Sequence, residues 1–278
     1  MPVATTAPLD SEATPLDQLF LPCSIAHFRW ASIISELKQR FYRLSPGDGL
    51  QACIEELQEQ LHKRLEKWLE ESLVLVENLP LCHQERFRTK FQIDFHFAVG
   101  LLCQPSRSCP HPNNRALWLC LESATQRIRL FDSLYCQNNL ALTWPSTHGV
   151  FLAGATLVYS IWASTEIRSS VSPVEVAGDL RLCSSLLALG GEWWPLAQRG
   201  KRSFERLADS TLNALLSRGP SGAPYAECPP TSNPANHSIE DSQWLDVETM
   251  LQSFFQNDLQ FPDFGTPDTT MFDPPAMF

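Results

Sequence analysis

An all-α fold is predicted for this chain by three observations. Apolar residues recur at intervals of three and four from Ile25 to Leu215, the period of a helix with one buried face. No segment alternates apolar and polar residues with period two over a convincing length. The stretch from Gly149 to Trp162, GVFLAGATLVYSIW, is apolar on every side, and a helix of that kind is buried among others. Burying Phe151, Leu152, Leu157, Val158, Tyr159, Ile161 and Trp162 contributes about 1.5–3 kcal/mol each, so this piece alone can anchor a core. Nothing between Asp132 and Glu166 carries a formal charge, which raises a membrane span. The dense apolar run is shorter than the roughly 20 residues a bilayer needs, and Asn138, Asn139, Pro145, Ser146, Thr147 and His148 ahead of it read as a loop. No membrane association is expected.

The elements follow in order. Residues 1–22 are rich in Pro, Thr and Asp and are expected to be loosely ordered. A first helix begins at Ile25, with Ile34, Leu37, Phe41 and Leu44 on one face and Arg29, Glu36, Lys38 and Arg43 available for the other. The run Ser45-Pro46-Gly47-Asp48-Gly49 ends it. A second helix carries Leu50, Ile54, Leu57, Leu61, Leu65, Trp68 and Leu69 as one stripe, and Pro80 stops it. A third spaces out Phe87, Phe91, Phe95, Val99 and Leu102, and the loop Gln104 to Pro112 separates it from a fourth beginning near Asn113 or Asn114. There Leu117, Leu121, Ala124, Ile128 and Phe131 form the buried stripe, with Arg127 and Arg129 expected to point elsewhere. Beyond the central helix, Ser172-Pro173-Val174-Glu175 signals a start: Ser at the cap, Pro at the first helical position, Glu closing a capping box. Leu180, Leu182, Cys183, Leu186 and Leu187 pack inward, Gly190-Gly191 ends that helix, and Pro195 opens another with Phe204, Leu207, Ala208, Thr211, Leu212 and Leu215 at helical spacing. Seven or so helices and no sheet are expected for residues 23–218, a helical body.

Composition changes after that body. Residues 219–240 are Pro-, Ser-, Asn- and Gly-rich, the chemistry of a linker. No Lys or Arg follows Arg218, while nine acids do, from Glu227 to Asp273. The total charge of −10 therefore leaves 22 acids against 21 bases before that point. A near-neutral body with an acidic tail offers no basic footprint for a phosphate backbone. In residues 241–278 the acids interleave with Trp244, Leu251, Phe254, Phe255, Phe261, Phe264 and Phe272. That alternation suits a disordered activation segment, whose charge keeps large apolar groups in water and available to a partner's groove. The bland alternative is a last helix, roughly Trp244 to Gln256, docked on the body; the two can coexist.

No motif for catalysis is found: no G-x-S-x-G elbow, Walker loop, H-E-x-x-H or G-x-G-x-x-G, nor an aspartate-rich magnesium motif. No catalytic, cofactor-binding or metal-binding residue is assigned. His27, His62, His83 and His96 sit on predicted helices, where a lone histidine is read as a structural group; His96, between Phe95 and Phe97, invites a functional reading more than the others. The nine cysteines are scattered singly, without a C-x-x-C pair or a secretory leader, which favours a reducing, intracellular compartment. Cys103, Cys109, His111 and Cys120 invite a zinc reading. Their spacing matches no common finger and Cys120 continues an apolar helical face, so they are read as core thiols and a loop histidine.

With these elements placed, the chain resembles the middle homology region of fungal binuclear-zinc-cluster transcription factors, from about Phe28 to Leu216. Arg29-Trp30-Ala31 through Leu37 is similar to that family's Ile- and Leu-patterned helix, and Trp68 with Pro80 to its Trp-to-Leu-Pro segment. Phe95-His96 resembles its Tyr-His, with Leu101-Leu102 and Pro105-Ser106 in place of its Leu-x-x-Pro-Ser. Cys120, Ala124 and Ile128 follow, then Trp144, His148 and the Gly154 to Tyr159 helix. Gly191-Glu192-Trp193-Trp194-Pro195, Ala197 and Phe204-Glu205 to Leu207 resemble its Trp-Pro-x-Ala segment.

The resemblance implies an all-helical regulatory domain, often found in activators of nutrient-use or secondary-metabolite genes, a nuclear location, and His96 as a structural position. The family's six-cysteine zinc cluster, basic segment and coiled coil have no counterpart in Met1 to Pro22. No zinc cofactor is therefore expected, and contact with DNA is expected to be indirect. Either the chain is truncated or it is a regulator without its own DNA reader. The expected partners are transcription machinery or co-regulators met through the tail, with oligomeric state open. An alternative is a ligand-responsive helical module for a small-molecule effector, its pocket lined by the Gly149–Trp162 helix and the Trp193-Trp194 turn; another is a truncated, non-functional fragment. Arg199, Lys201 and Arg202 form a weak basic cluster, read as a helix face.

Overall fold

A computed structural model of the protein describes residues 15–43, 51–193 and 195–217, and among them every regular element is helical. Outside the described residues lie the 45–49 turn, Trp194, the 219–240 linker and the 241–278 tail. The fold is all-α, as the three observations from the sequence predict.

Helix α1 spans Pro15–Lys38 and runs into a π-helical turn at Gln39–Arg43. It begins ten residues ahead of Ile25 and passes through Pro22, so the expectation of loose order is corrected for residues 15–22. The extension is held by tertiary contact: the Phe20 ring stacks on Phe87 at 5.5 Å and meets the His83 ring edge-on at 5.2 Å. Helix α2, Gln51–Glu77, returns antiparallel to α1. Arg64 bonds Glu36 at 2.7 Å, Trp68 Nε1 donates to the Ala26 carbonyl at 2.7 Å, and Arg29 lies 3.7 Å from Glu71, which fixes the register. Helix α3, Leu81–Cys103, closes the first layer, with Phe91 buried edge-on against Trp68 at 5.7 Å. The π turn is pinned from two sides: Tyr42 Oη donates to the Leu101 carbonyl at 2.7 Å, and Ser108 bonds the Arg40 and Phe41 carbonyls.

Helix α4, Asn114–Cys136, starts where the sequence places it, because the Asn113 side chain accepts the Ala116 N–H at 2.9 Å and satisfies one of the free amides of the first turn. All five residues of its expected stripe are buried. Helix α5, Trp144–Ala163, is the apolar stretch, and it lies against α4 on one side and against α7, Pro173–Trp193, and α8, Pro195–Leu216, on the other. Its start corrects the sequence reading: Pro145, Ser146, Thr147 and His148 are its first turn and not a loop. Thr143 and Ser146 cap each other's backbone, Ser146 N–H to Thr143 Oγ1 at 3.4 Å and Thr143 N–H to Ser146 Oγ at 3.0 Å.

Two further corrections follow from close packing. Helix α7 does not end at Gly190-Gly191 but runs on to Trp193. Gly190 is there because a Cβ would stand 2.4 Å from the Thr147 methyl group, so α7 crosses the first turn of α5 at a distance that only glycine allows. A short helix the sequence did not signal, α6 at Thr165–Ser170, is capped by Ser164, whose Oγ accepts the Ile167 N–H and donates to Asn114 Oδ1. Deeper in, Gly154 of α5 faces Phe204 of α8 and Cys183 of α7, and a Cβ would lie 2.5 and 2.6 Å from them. Nothing separates the central helix from its neighbours there.

Candidate functional site

The most unusual chemistry in the body is a polar group buried where α3, α4 and α5 meet. Arg127 of α4 was expected to point away from the stripe, and that is corrected: it is 5% exposed. Its Nη2 donates to the Gly149 carbonyl at 2.9 Å, its guanidinium lies 5.2 Å from the centre of the Phe97 ring, and its Nε has no hydrogen-bond partner. Residues 124, 127 and 131 are spaced i, i+3, i+7, so position 127 falls on the buried stripe, a signal its charge conceals. Burial pushes the guanidinium down to about 10, opposed by the charge of Asp94. It stays a cation at neutral pH, and its role is to hold the N-terminal half of α5 against α3 and α4.

His96 lies beside it. Burial, followed by the Arg127 charge, pushes its imidazole down to about 4, and its buried Nδ1 has no partner. A neutral ring next to a cation fits a packed structural position better than a proton-transfer group. Asp94, two residues earlier on α3, sits 3.4 Å from His27 Nδ1 and 3.4 Å from Lys90 Nζ, while its carbonyl accepts Trp30 Nε1–H at 2.9 Å. Burial alone would raise the Asp94 carboxyl; Lys90 and His27 outweigh it and hold it below its ordinary range. His62 is 3.7 Å from Glu66, and His83 packs on Phe20. The helix histidines thus each meet a local neighbour.

The cysteines divide by exposure. Cys103, Cys109 and Cys120 are buried, and His111 is exposed beside them in the α3–α4 loop. Burial pushes the Cys103 thiol up to about 12 and raises those of Cys109 and Cys120. Among the described residues no three His, Cys, Asp or Glu side chains are arranged to hold a metal ion. Cys120 Sγ–H instead points to the Gly100 carbonyl at 3.8 Å.

The structure does not join the Gly149–Trp162 helix and the Trp193 turn into one pocket. The helix is enclosed by packed side chains, Trp193 is 69% exposed, and Trp194 lies outside the described residues. A groove does lie at that turn between α7 and α8, lined by Ala188, Gly191, Glu192, Gln198, Lys201, Arg202 and Glu205. Glu205 is already engaged, 2.6 Å from Lys201 Nζ and 2.8 Å from Ser184 Oγ. Among the described residues no helix is long and apolar enough to cross a membrane.

Comparison with known proteins adds what the geometry does not. No protein-family model matches the chain, and no solved structure matches it. An uncharacterized transcriptional regulatory protein of Saccharomyces cerevisiae is 28% identical over 141 residues, 45% of this chain and 10% of that protein. The positive regulator of purine utilization of Emericella nidulans is 28% identical over 96 residues, 34% of this chain and 9% of that protein. Pyrimidine pathway regulatory protein 1 of Saccharomyces cerevisiae is 23% identical over 100 residues, 36% and 11% of the two chains. The matched regions span about a tenth of these relatives. Over part of its length, then, this chain is similar to fungal transcriptional regulators.

Proposed function

We propose that the chain is a regulatory body of a fungal transcriptional regulator, acting as an activator in the nucleus. The observation that supports this best is that three separate transcriptional regulators each match between a third and a half of the chain. The all-helical architecture and a polar core that holds helices together suit a scaffold that binds rather than one that performs chemistry, so the reading includes no catalytic activity and no cofactor. The effector function is assigned to the sequence after Arg218, where nine acids and no base accompany a series of aromatic residues; transcription machinery or co-regulators are its partners. The near-neutral charge of the preceding residues supports reaching DNA through another protein or another part of a longer chain. The genes it governs belong, on this reading, to nutrient use or secondary metabolism.

A reporter assay tests it. Residues 1–278 are fused to an unrelated DNA-binding domain, beside a second fusion ending at Arg218. Strong activation by the first and none by the second is expected. Equal output from both would overturn the role of the tail, and silence from both would overturn the activator reading.

A further inference from the structure

We propose that the groove between α7 and α8 is a binding site for a free amino acid, held by both of its charged ends, the carboxylate on Arg202 and the ammonium on Glu192. Two contacts set the register of this helix pair. Ser184 Oγ–H donates to Glu205 Oε1 at 2.8 Å. Gly191 lies against Gln198, whose Cα and Cβ are 3.6 Å from where a glycine Cβ would stand. Seven residues on along α7 and seven back along α8 lead from the first contact to the second, so the two helices run antiparallel through the groove. In that register the walls are residues one turn apart on each helix, Ala188 and Glu192 on α7, Gln198, Arg202 and Glu205 on α8. The space between them is about 300 Å³, the small end of the range for ligand sites.

The charges select the occupant. Two acids and two bases line the groove, and they are not paired alike. Lys201 and Glu205 neutralise each other at 2.6 Å. The bonds from Lys201 and then from Ser184 hold the Glu205 carboxyl below its ordinary range. Glu192 and Arg202 instead stand exposed on opposite walls, each without an ion-pair or hydrogen-bond partner among the described residues. In the antiparallel register their backbones are offset by about 7.5 Å along the groove. Opposite charges left open across one groove suit a molecule that carries both signs. A carboxylate takes the fork of Arg202, an ammonium takes Glu192, and the Gln198 amide, equally unengaged, has a donor and an acceptor for either. Exposed Arg181, Arg199 and Arg206, with Asp209, lie outside the lining and leave the surroundings net positive. That field favours any anion, so Glu192 is the group that selects for an ammonium as well. A singly charged acid or amine leaves one wall unanswered. This inference does not rest on the proposed role in transcription, and its test reads binding alone.

Saturation-transfer NMR on the full chain, with each of the common amino acids at about 10 mM, is expected to find at least one that binds. For that amino acid, the amine lacking its carboxylate and the acid lacking its ammonium are expected to bind about tenfold more weakly. Arg202→Gln is expected to weaken the amino acid about tenfold. Glu192→Gln is expected to do the same and to bring the deaminated acid level with the amino acid, a change of preference that a loss of stability does not produce. Arg199→Gln, exposed on α8 outside the groove, is expected to leave binding unchanged. Circular dichroism should be the same for all three variants, since these side chains stand in solvent. The proposal is overturned if no amino acid binds, if the singly charged analogues bind the unaltered chain equally well, or if binding survives Arg202→Gln and Glu192→Gln or is lost equally to Arg199→Gln.

Discussion

Arg129 of α4 and Asp179 of α7 meet as a fork, Nε to Oδ1 at 2.9 Å and Nη2 to Oδ2 at 3.1 Å. The acid is buried and the guanidinium is half in water, so α7 is held to α4 at a point where the carboxylate has given up its hydration. The bonds to Asp179 raise the already high pKa of the guanidinium. Asp179→Asn is expected to lower the unfolding free energy by about 1–2 kcal/mol, less than a fully buried charged bond because Arg129 is partly screened. Arg129→Lys is expected to recover little, since a point charge cannot make the two-pronged contact. Urea titration of both variants measures this; a loss below about 0.5 kcal/mol from Asp179→Asn would contradict it.

Glycines at two positions are expected to respond in opposite directions. Gly154→Ala drives a methyl group into Phe204 and Cys183, and overpacking of this kind costs about 1–3 kcal/mol. Gly178, inside α7, has nothing within 4 Å of where a Cβ would stand, so Gly178→Ala is expected to stabilise by about 0.5–1 kcal/mol through helix propensity. Thermal melts of the pair should move apart; movement in the same direction would show that the α5–α8 contact is looser than described.

Stability is expected to fall on the acid side through His96. The folded chain holds its imidazole at about 4, whereas the unfolded chain protonates it near 6.5. Between those values the unfolded state binds more protons, so stability rises with pH across that window and is fully present above it. Going from pH 7 to pH 5 is expected to remove about 2 kcal/mol from this group. His96→Gln should flatten that part of the profile, and an unchanged slope in the variant would exclude His96 as its source.

The start of α5 is expected to depend on its cap. Thr143→Ala removes the oxygen that accepts the Ser146 N–H and should cost about 1 kcal/mol, while Thr143→Ser, which keeps that oxygen, should leave stability unchanged. Denaturant midpoints for the two variants decide it; equal midpoints would mean that tertiary packing alone sets the boundary.

Much of the fold was legible because burial repeats at helical spacing. Leu117, Leu121, Ala124, Ile128 and Phe131 of α4 all prove buried, and Asn113 caps where its chemistry says it should. The failures share a cause: the deciding contact was distant in sequence. Gly190 read as a stop because nothing local shows Thr147 packed against it. Pro145, Ser146, Thr147 and His148 read as loop because Ser146, not a Glu, completes the cap with Thr143. Arg127 read as a surface charge because its acceptor, the Gly149 carbonyl, belongs to another helix. The polar cluster was legible only as single letters, His96 most clearly. The placing of Arg127 beside it, and of His27 against Asp94, comes from the crossing of helices, which spacing along one helix does not encode.

The thiols of the body carry a consequence for following its motions. Cys23 lies on α1, Cys103 at the end of α3, Cys109 in the following loop, Cys120 on α4 and Cys183 on α7, all buried, while Cys82 and Cys136 are exposed. Burial raises the pKa of each of the five, and a thiol in that state reacts with an alkylating reagent only after its surroundings open. The chain thus has a built-in set of clocks, one at each of several helix contacts. The order in which they are labelled gives the sequence in which those contacts come apart, without introducing any foreign probe.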